Sequence, residues 1–126
     1  MATILPWNFI ASKKHNNLEV SYLNLREPFQ GGPEIGEIEV NSKIIPDKLF
    51  GGPLLFYDKF IVVPEFVNTK GFRLAFVNMN TFKVYSVGDI KEMVLLSKIE
   101  NKEIQFYTDI KNKNLEYYDF SNIEFD

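Results

Sequence analysis

Apolar and polar residues along this chain alternate mostly with a period of two, not with the 3.6 of a helix. In FRLAFV, residues 72–77, Phe72, Leu74 and Phe76 share one face while Arg73, Ala75 and Val77 share the other. FKVYSV follows at 82–87 after Asn78-Met79-Asn80-Thr81, and Asn tolerates the left-handed backbone of tight turns, so 72–87 reads as a hairpin. A second hairpin is expected over 93–108. There MVLLSKI enters the turn Glu100-Asn101-Lys102-Glu103, and EIQFYT places Ile104, Phe106 and Thr108 on one side. Asp89 followed by Glu92 has the form of a capped helix start, which predicts at most one short helix near 89–96.

FIVVPEF, residues 60–66, is apolar at nearly every position, the pattern of a centrally buried strand. Pro64 has no N–H to give a ladder, so pairing on that side should stop near it. The preceding LLFYDKF forms a third hairpin with it, turning at Asp58-Lys59. Further strands are expected at 3–9, 18–25, 34–45 and 115–120. In the third of these, Ile38 and Val40 face one way and Glu37, Glu39 and Asn41 the other. Ile35 has the wrong parity for the core unless Gly36 supplies a bulge. The fold class expected is all-β: an antiparallel meander of about nine or ten short strands, built as a sandwich, barrel or partial propeller.

Two GGP triplets, at 31–33 and 51–53, each precede strand-forming residues. Glycine admits backbone angles other residues avoid, and proline fixes φ, so each triplet reads as a bend placed before a strand. A repeat architecture would need more copies at a fixed period. The triplets are read as punctuation.

The length of 126 residues points to a single domain spanning 1–126. Twelve Phe and six Tyr suit a pleated, half-buried surface. The absence of cysteine removes disulfides, thiolate metal sites and a cysteine nucleophile together. MATILPWNFI lacks a basic leader region and Pro6 interrupts it, so a signal peptide is not expected. No apolar run reaches the roughly 20 residues that span a bilayer. A soluble, cytoplasmic protein without membrane association is expected.

The net charge is −3 with a pI near 5.2, which disfavours nucleic acid as a partner. The charge is uneven. Glu27, Glu34, Glu37 and Glu39 fall within 27–41 with no base, and Glu116, Asp119, Glu124 and Asp126 within 115–126, again with none. Such asymmetry marks either a partner surface or solvated strand faces.

Candidate chemistry is sparse. His15, the one histidine, stands in SKKHNN among cations and amides, which reads as an exposed loop without an orienting carboxylate. Glu37 and Glu39 are paired carboxylates, the raw material of glycoside hydrolysis, but also ordinary i, i+2 neighbours on a strand. No phosphate-cradling, dinucleotide, hydrolase-elbow, zincin or calcium-loop motif occurs. Tyr107, Tyr117 and Tyr118 have rings that stack on bases or sugars, but Tyr117 and Tyr118 lie among Glu116 and Asp119 and not among the basic residues of an RNA platform. Neither catalysis, a cofactor nor a metal is expected.

In profile the chain resembles the small immunity proteins of bacterial toxin–immunity systems, such as contact-dependent inhibition. They are short, acidic, cytoplasmic and cysteine-poor, and rich in β structure. The resemblance is one of overall character, with no motif, and transfers no residue. It implies an antitoxin that binds and neutralises a basic nuclease toxin. From charge and exposure, the partner-binding residues expected are Glu34, Glu37, Glu39, Glu116, Tyr117, Asp119 and Glu124. The alternative is a small-ligand or carbohydrate-binding β domain with aromatics at a barrel mouth or sheet face.

Overall fold

The computed structural model describes residues 5–7, 9–28, 32–69 and 71–125, and the chain is all-β. Eleven strands are described: β1 Ser12–His15, β2 Leu18–Arg26, β3 Ile35–Val40, β4 Lys43–Ile44, β5 Leu55–Tyr57, β6 Phe60–Asn68, β7 Gly71–Asn78, β8 Val84–Lys91, β9 Leu95–Glu100, β10 Glu103–Tyr107 and β11 Leu115–Asp119. They form three antiparallel sheets in chain order, β1-β2-β3-β4, β5-β6-β7-β8 and β9-β10-β11, none closed into a barrel. Three two-residue turns, Asn16-Asn17, Asn41-Ser42 and Asn101-Lys102, have both residues at positive φ, the twist that tight hairpins require. The turn from β7 to β8 is pinned by Asn78, whose Oδ1 accepts the N–H groups of Asn80 (2.8 Å) and Thr81 (3.1 Å).

The sheets stack as three layers with the second in the middle. Val63, Ala75 and Val77 pack with Val20, Tyr22, Ile38 and Val40 of the first sheet. Their neighbours Val62, Leu74 and Phe76 pack with Leu96, Ile104 and Phe106 of the third. Burial on both faces is why β6 and β7 are apolar at most positions. The β5–β6 ladder ends at Leu55↔Val62. Beyond it, β6 keeps only the bridge Phe50↔Glu65 on that margin, as the missing N–H of Pro64 requires. Each GGP triplet leads into a strand, though Gly31 lies outside the described residues; the Gly52–Pro53 bond is cis.

Four expectations are corrected. No helix forms near 89–96: β8 runs to Lys91 and pairs it with Phe72, so the ladder overrides the local capping signal. The expected strand at 3–9 does not form at residues 5–7 or 9, and its remaining positions lie outside the described residues. His15 is not in a loop but ends β1. Its ring stacks on Phe56 at 4.5 Å and 5°, and its Nε2–H donates to the Asp58 carbonyl at 2.9 Å. The bulge lies on β2 between Leu23 and Arg26, opposite Gly36, and not on β3. A Cβ on Gly36 would come within 2.5 Å of the Leu23 carbonyl oxygen, so the bulge uses the space a side chain would take. Ile35 keeps its parity and is buried in the second core, which reaches that end of β3.

Candidate functional site

The outer face of the third sheet gathers acid and aromatic side chains by register alone. A two-residue turn at Asn101-Lys102 sets Glu100 opposite Glu103, and β11 sets Asp119 opposite Glu103 on the other side. Ile104, the next residue, points into the core, so this row of three carboxylates points out. Gln105↔Tyr117 and Tyr107↔Leu115 continue the same face. Tyr117 is 55% exposed and Leu115 37%, so the patch offers ring and methyl surface to a partner.

The charges are held differently. Lys98 Nζ lies 3.0 Å from Glu100 and offsets one carboxylate of the row. The hydroxyl and N–H of Ser121 both serve the Asp119 carboxylate, the latter at 2.8 Å, and hold its pKa below the ordinary range. Like charges directly opposite across strands are destabilising. A cation set against this row would meet favourable charge from three acidic positions.

The loop from β10 to β11 is built on Asp109. Its Oδ1 accepts the N–H groups of Asn114 (2.8 Å) and Lys113 (2.9 Å), and these bonds lower its pKa. Thr108 N–H closes the loop on the Asn114 carbonyl at 3.1 Å.

Of the seven residues expected from sequence, Tyr117 and Asp119 lie on this face. Glu116 is on the reverse of the same strand, with Oε1 3.2 Å from Lys91 Nζ of β8. There it lines a cleft of about 220 Å³ with Val87, Lys91 and Tyr118. Glu124 is exposed beyond β11, between Ile123 and Phe125, which pack on the second core.

Glu37 and Glu39 belong to β3 of the first sheet, on the far side of the middle one, and Glu34 precedes that strand. Glu37 takes a hydrogen bond from the Arg26 guanidinium at 3.3 Å, the main cause holding its pKa below the usual range. Glu39 sits opposite Ser21 and Ile44 on the outer face, and Glu34 is half-buried just before β3. Glu37 and Glu39 share a strand face, but Arg26 engages the first as an ordinary ion pair.

Sequence reading missed Glu100 and Glu103. The signal was present, since a two-residue turn between them makes them cross-strand partners. Among the described residues, no three His, Asp or Glu side chains converge to hold a metal ion. No helix among them is long and apolar enough to cross a membrane. No protein-family model, curated protein or solved structure matches the chain.

Proposed function

We propose that this chain is a non-enzymatic protein-binding domain that docks a cationic partner on the outer face of its third sheet. In this reading it serves as the cytoplasmic antitoxin of a basic nuclease toxin. The observation that supports it is the Glu100–Glu103–Asp119 row beside Tyr107, Leu115 and Tyr117. Acidic clusters speed encounter with basic proteins and repel nucleic acid, while exposed tyrosines anchor interfaces at little entropic cost.

A small-ligand role is the weaker reading. The inter-sheet cleft at Glu116 measures about 220 Å³. A second, lined by Trp7, Phe66, Phe72 and Ile110, measures about 230 Å³. Both fall below the roughly 300–1,000 Å³ of drug-sized ligand sites. Two larger hollows, about 530 Å³ at Lys98, Glu100 and Gln105 and about 370 Å³ at Leu18, Asn41 and Met79, are lined mainly by exposed and half-buried side chains and not by an apolar enclosure.

The test uses the polypeptide encoded immediately upstream in the native genome. Its C-terminal domain is purified and its association with this chain is timed at low and high salt. A basic polypeptide whose on-rate falls about tenfold or more between 50 mM and 500 mM salt is expected. An acidic neighbour, or an association rate indifferent to salt, would overturn the reading.

A further inference from the structure

Six strands lie at the margins of the three sheets: β1, β4, β5, β8, β9 and β11. A marginal strand leaves a row of N–H and C=O groups unpaired, and folds blunt such rows with lysines, breaks or brevity. Five of the six are blunted. β1 carries Lys13 and Lys14, β4 is two residues long, and β5 is three. β8 holds Gly88 at φ 74° and slips register against β7. β9 carries Lys98 and slips register against β10. β11 has no lysine, arginine, proline or break: its five residues pair with β10 in unbroken register, and its two charges, Glu116 and Asp119, are acids that disfavour an acidic strand but not a basic one.

The direction of its backbone groups follows from its neighbours. Phe120 N–H donates to the Lys102 carbonyl at 2.9 Å, and the Asn114 carbonyl accepts from Thr108 N–H at 3.1 Å. Even-numbered positions therefore turn toward β10. Alternation then turns the N–H and C=O of Leu115, Tyr117 and Asp119 outward.

We propose that β11 is a docking edge that takes an extended cationic segment of a partner protein as a further strand of the third sheet. The inference rests on the reading of a cationic partner and adds how that partner attaches. Charge selects the occupant: residues 115–126 hold four acids and no base. A second copy of the chain would bring acid against acid. A lysine or arginine opposite Asp119 would complete the acidic row, and a second one two positions along, opposite Tyr117 on the same face, would lie over its ring.

The test titrates the full chain with three decapeptides and follows amide hydrogen exchange by NMR. One alternates arginine and valine, one has the same charge with two central valines changed to proline, and one alternates glutamate and valine. The arginine–valine peptide is expected to slow exchange at Leu115, Tyr117 and Asp119 by about tenfold or more, leaving Glu116 and Tyr118 unchanged. The proline-interrupted peptide should bind at least about tenfold more weakly, and the glutamate peptide should do nothing. Tyr117→Pro places the ring on an outward N–H, so it leaves β10 pairing intact and should abolish the protection, whereas Tyr117→Thr should keep it. Equal binding of both basic peptides with no slowed amide overturns edge docking but leaves the cationic-partner reading standing. Failure of both to bind overturns the two together. Protection that rises with protein concentration in the absence of peptide makes a second copy the occupant and overturns the inference.

Discussion

The hydroxyl of Tyr22 donates a 2.6 Å hydrogen bond to the carbonyl of Gly51, tying β2 to the triplet that leads into the middle sheet. Burial pushes the phenol's pKa up, so the donor keeps its proton. Tyr22→Phe keeps the ring, which lies 4.8 Å from that of Phe9, and removes only the donor. The Gly51 carbonyl is then buried with that partner gone, which costs about 1–2 kcal/mol. The expected result is a lower urea midpoint with an unchanged slope. An unchanged midpoint would show that the bond contributes nothing net.

Glu65, 7% exposed, is a carboxylate inside the stack. It is bound by Lys48 Nζ at 2.9 Å and by the Ser86 hydroxyl. Removing it leaves two donors without their acceptor, though Lys48 is exposed enough to recover water. Glu65→Ala should therefore cost about 2–3 kcal/mol, less than the 3–5 of a fully buried broken pair. Glu65→Gln keeps an acceptor for Ser86 and should lose less. Equal denaturation midpoints for the two variants would show that the carboxylate's charge carries the whole effect.

What the sequence reveals and hides divides along the range of the interaction involved. Asn78 and Asn101 announce their turns because the conformations they favour are local, and β6 announces its burial by having almost no polar face. Glu65 gives no such sign. Its partners stand 17 and 21 positions away and meet it only when the segment before β5 folds against β6 and β8 pairs on the far side of β7. The capping pattern at Asp89 is legible but loses, because β8 gains a ladder against β7 that a single helical turn cannot match. The acidic face lies between these cases. Alternation shows which residues point outward, while the row from Glu100 to Asp119 needs the register across β10.

Acid should unfold the protein partly through Asp109. Hydrogen bonds from the N–H groups of Asn114 and Lys113 hold its folded pKa below the ordinary value of 3.8. A depressed folded pKa means stability that is in place above the unfolded value and is lost as pH falls through the folded one. The urea midpoint should therefore drop as pH falls below about 4. Asp109→Asn keeps an acceptor oxygen but cannot titrate, so its acid limb should be flatter than that of the wild type. An identical slope would assign the acid sensitivity to Glu37 and Asp119, whose pKa values are lowered as well.

Glu103 stands opposite two other carboxylates, so changing it should move stability and binding in opposite directions. Glu103→Gln preserves shape and the outward hydrogen-bonding capacity while removing the repulsion from both sides. Relief of like charges facing each other across a sheet is worth about 0.2–1 kcal/mol, and solvent screening at this open face places the gain at the low end. The urea midpoint should rise slightly, and the gain should shrink as salt is added. If the face meets a cationic partner, the same change should slow association several-fold at low salt with little effect on the dissociation rate, since it removes long-range attraction and no buried contact. A variant that is more stable and binds as fast as the wild type would leave the acidic row without a role in recognition. One that is less stable would mean that Glu103 makes a favourable contact outweighing its two neighbours.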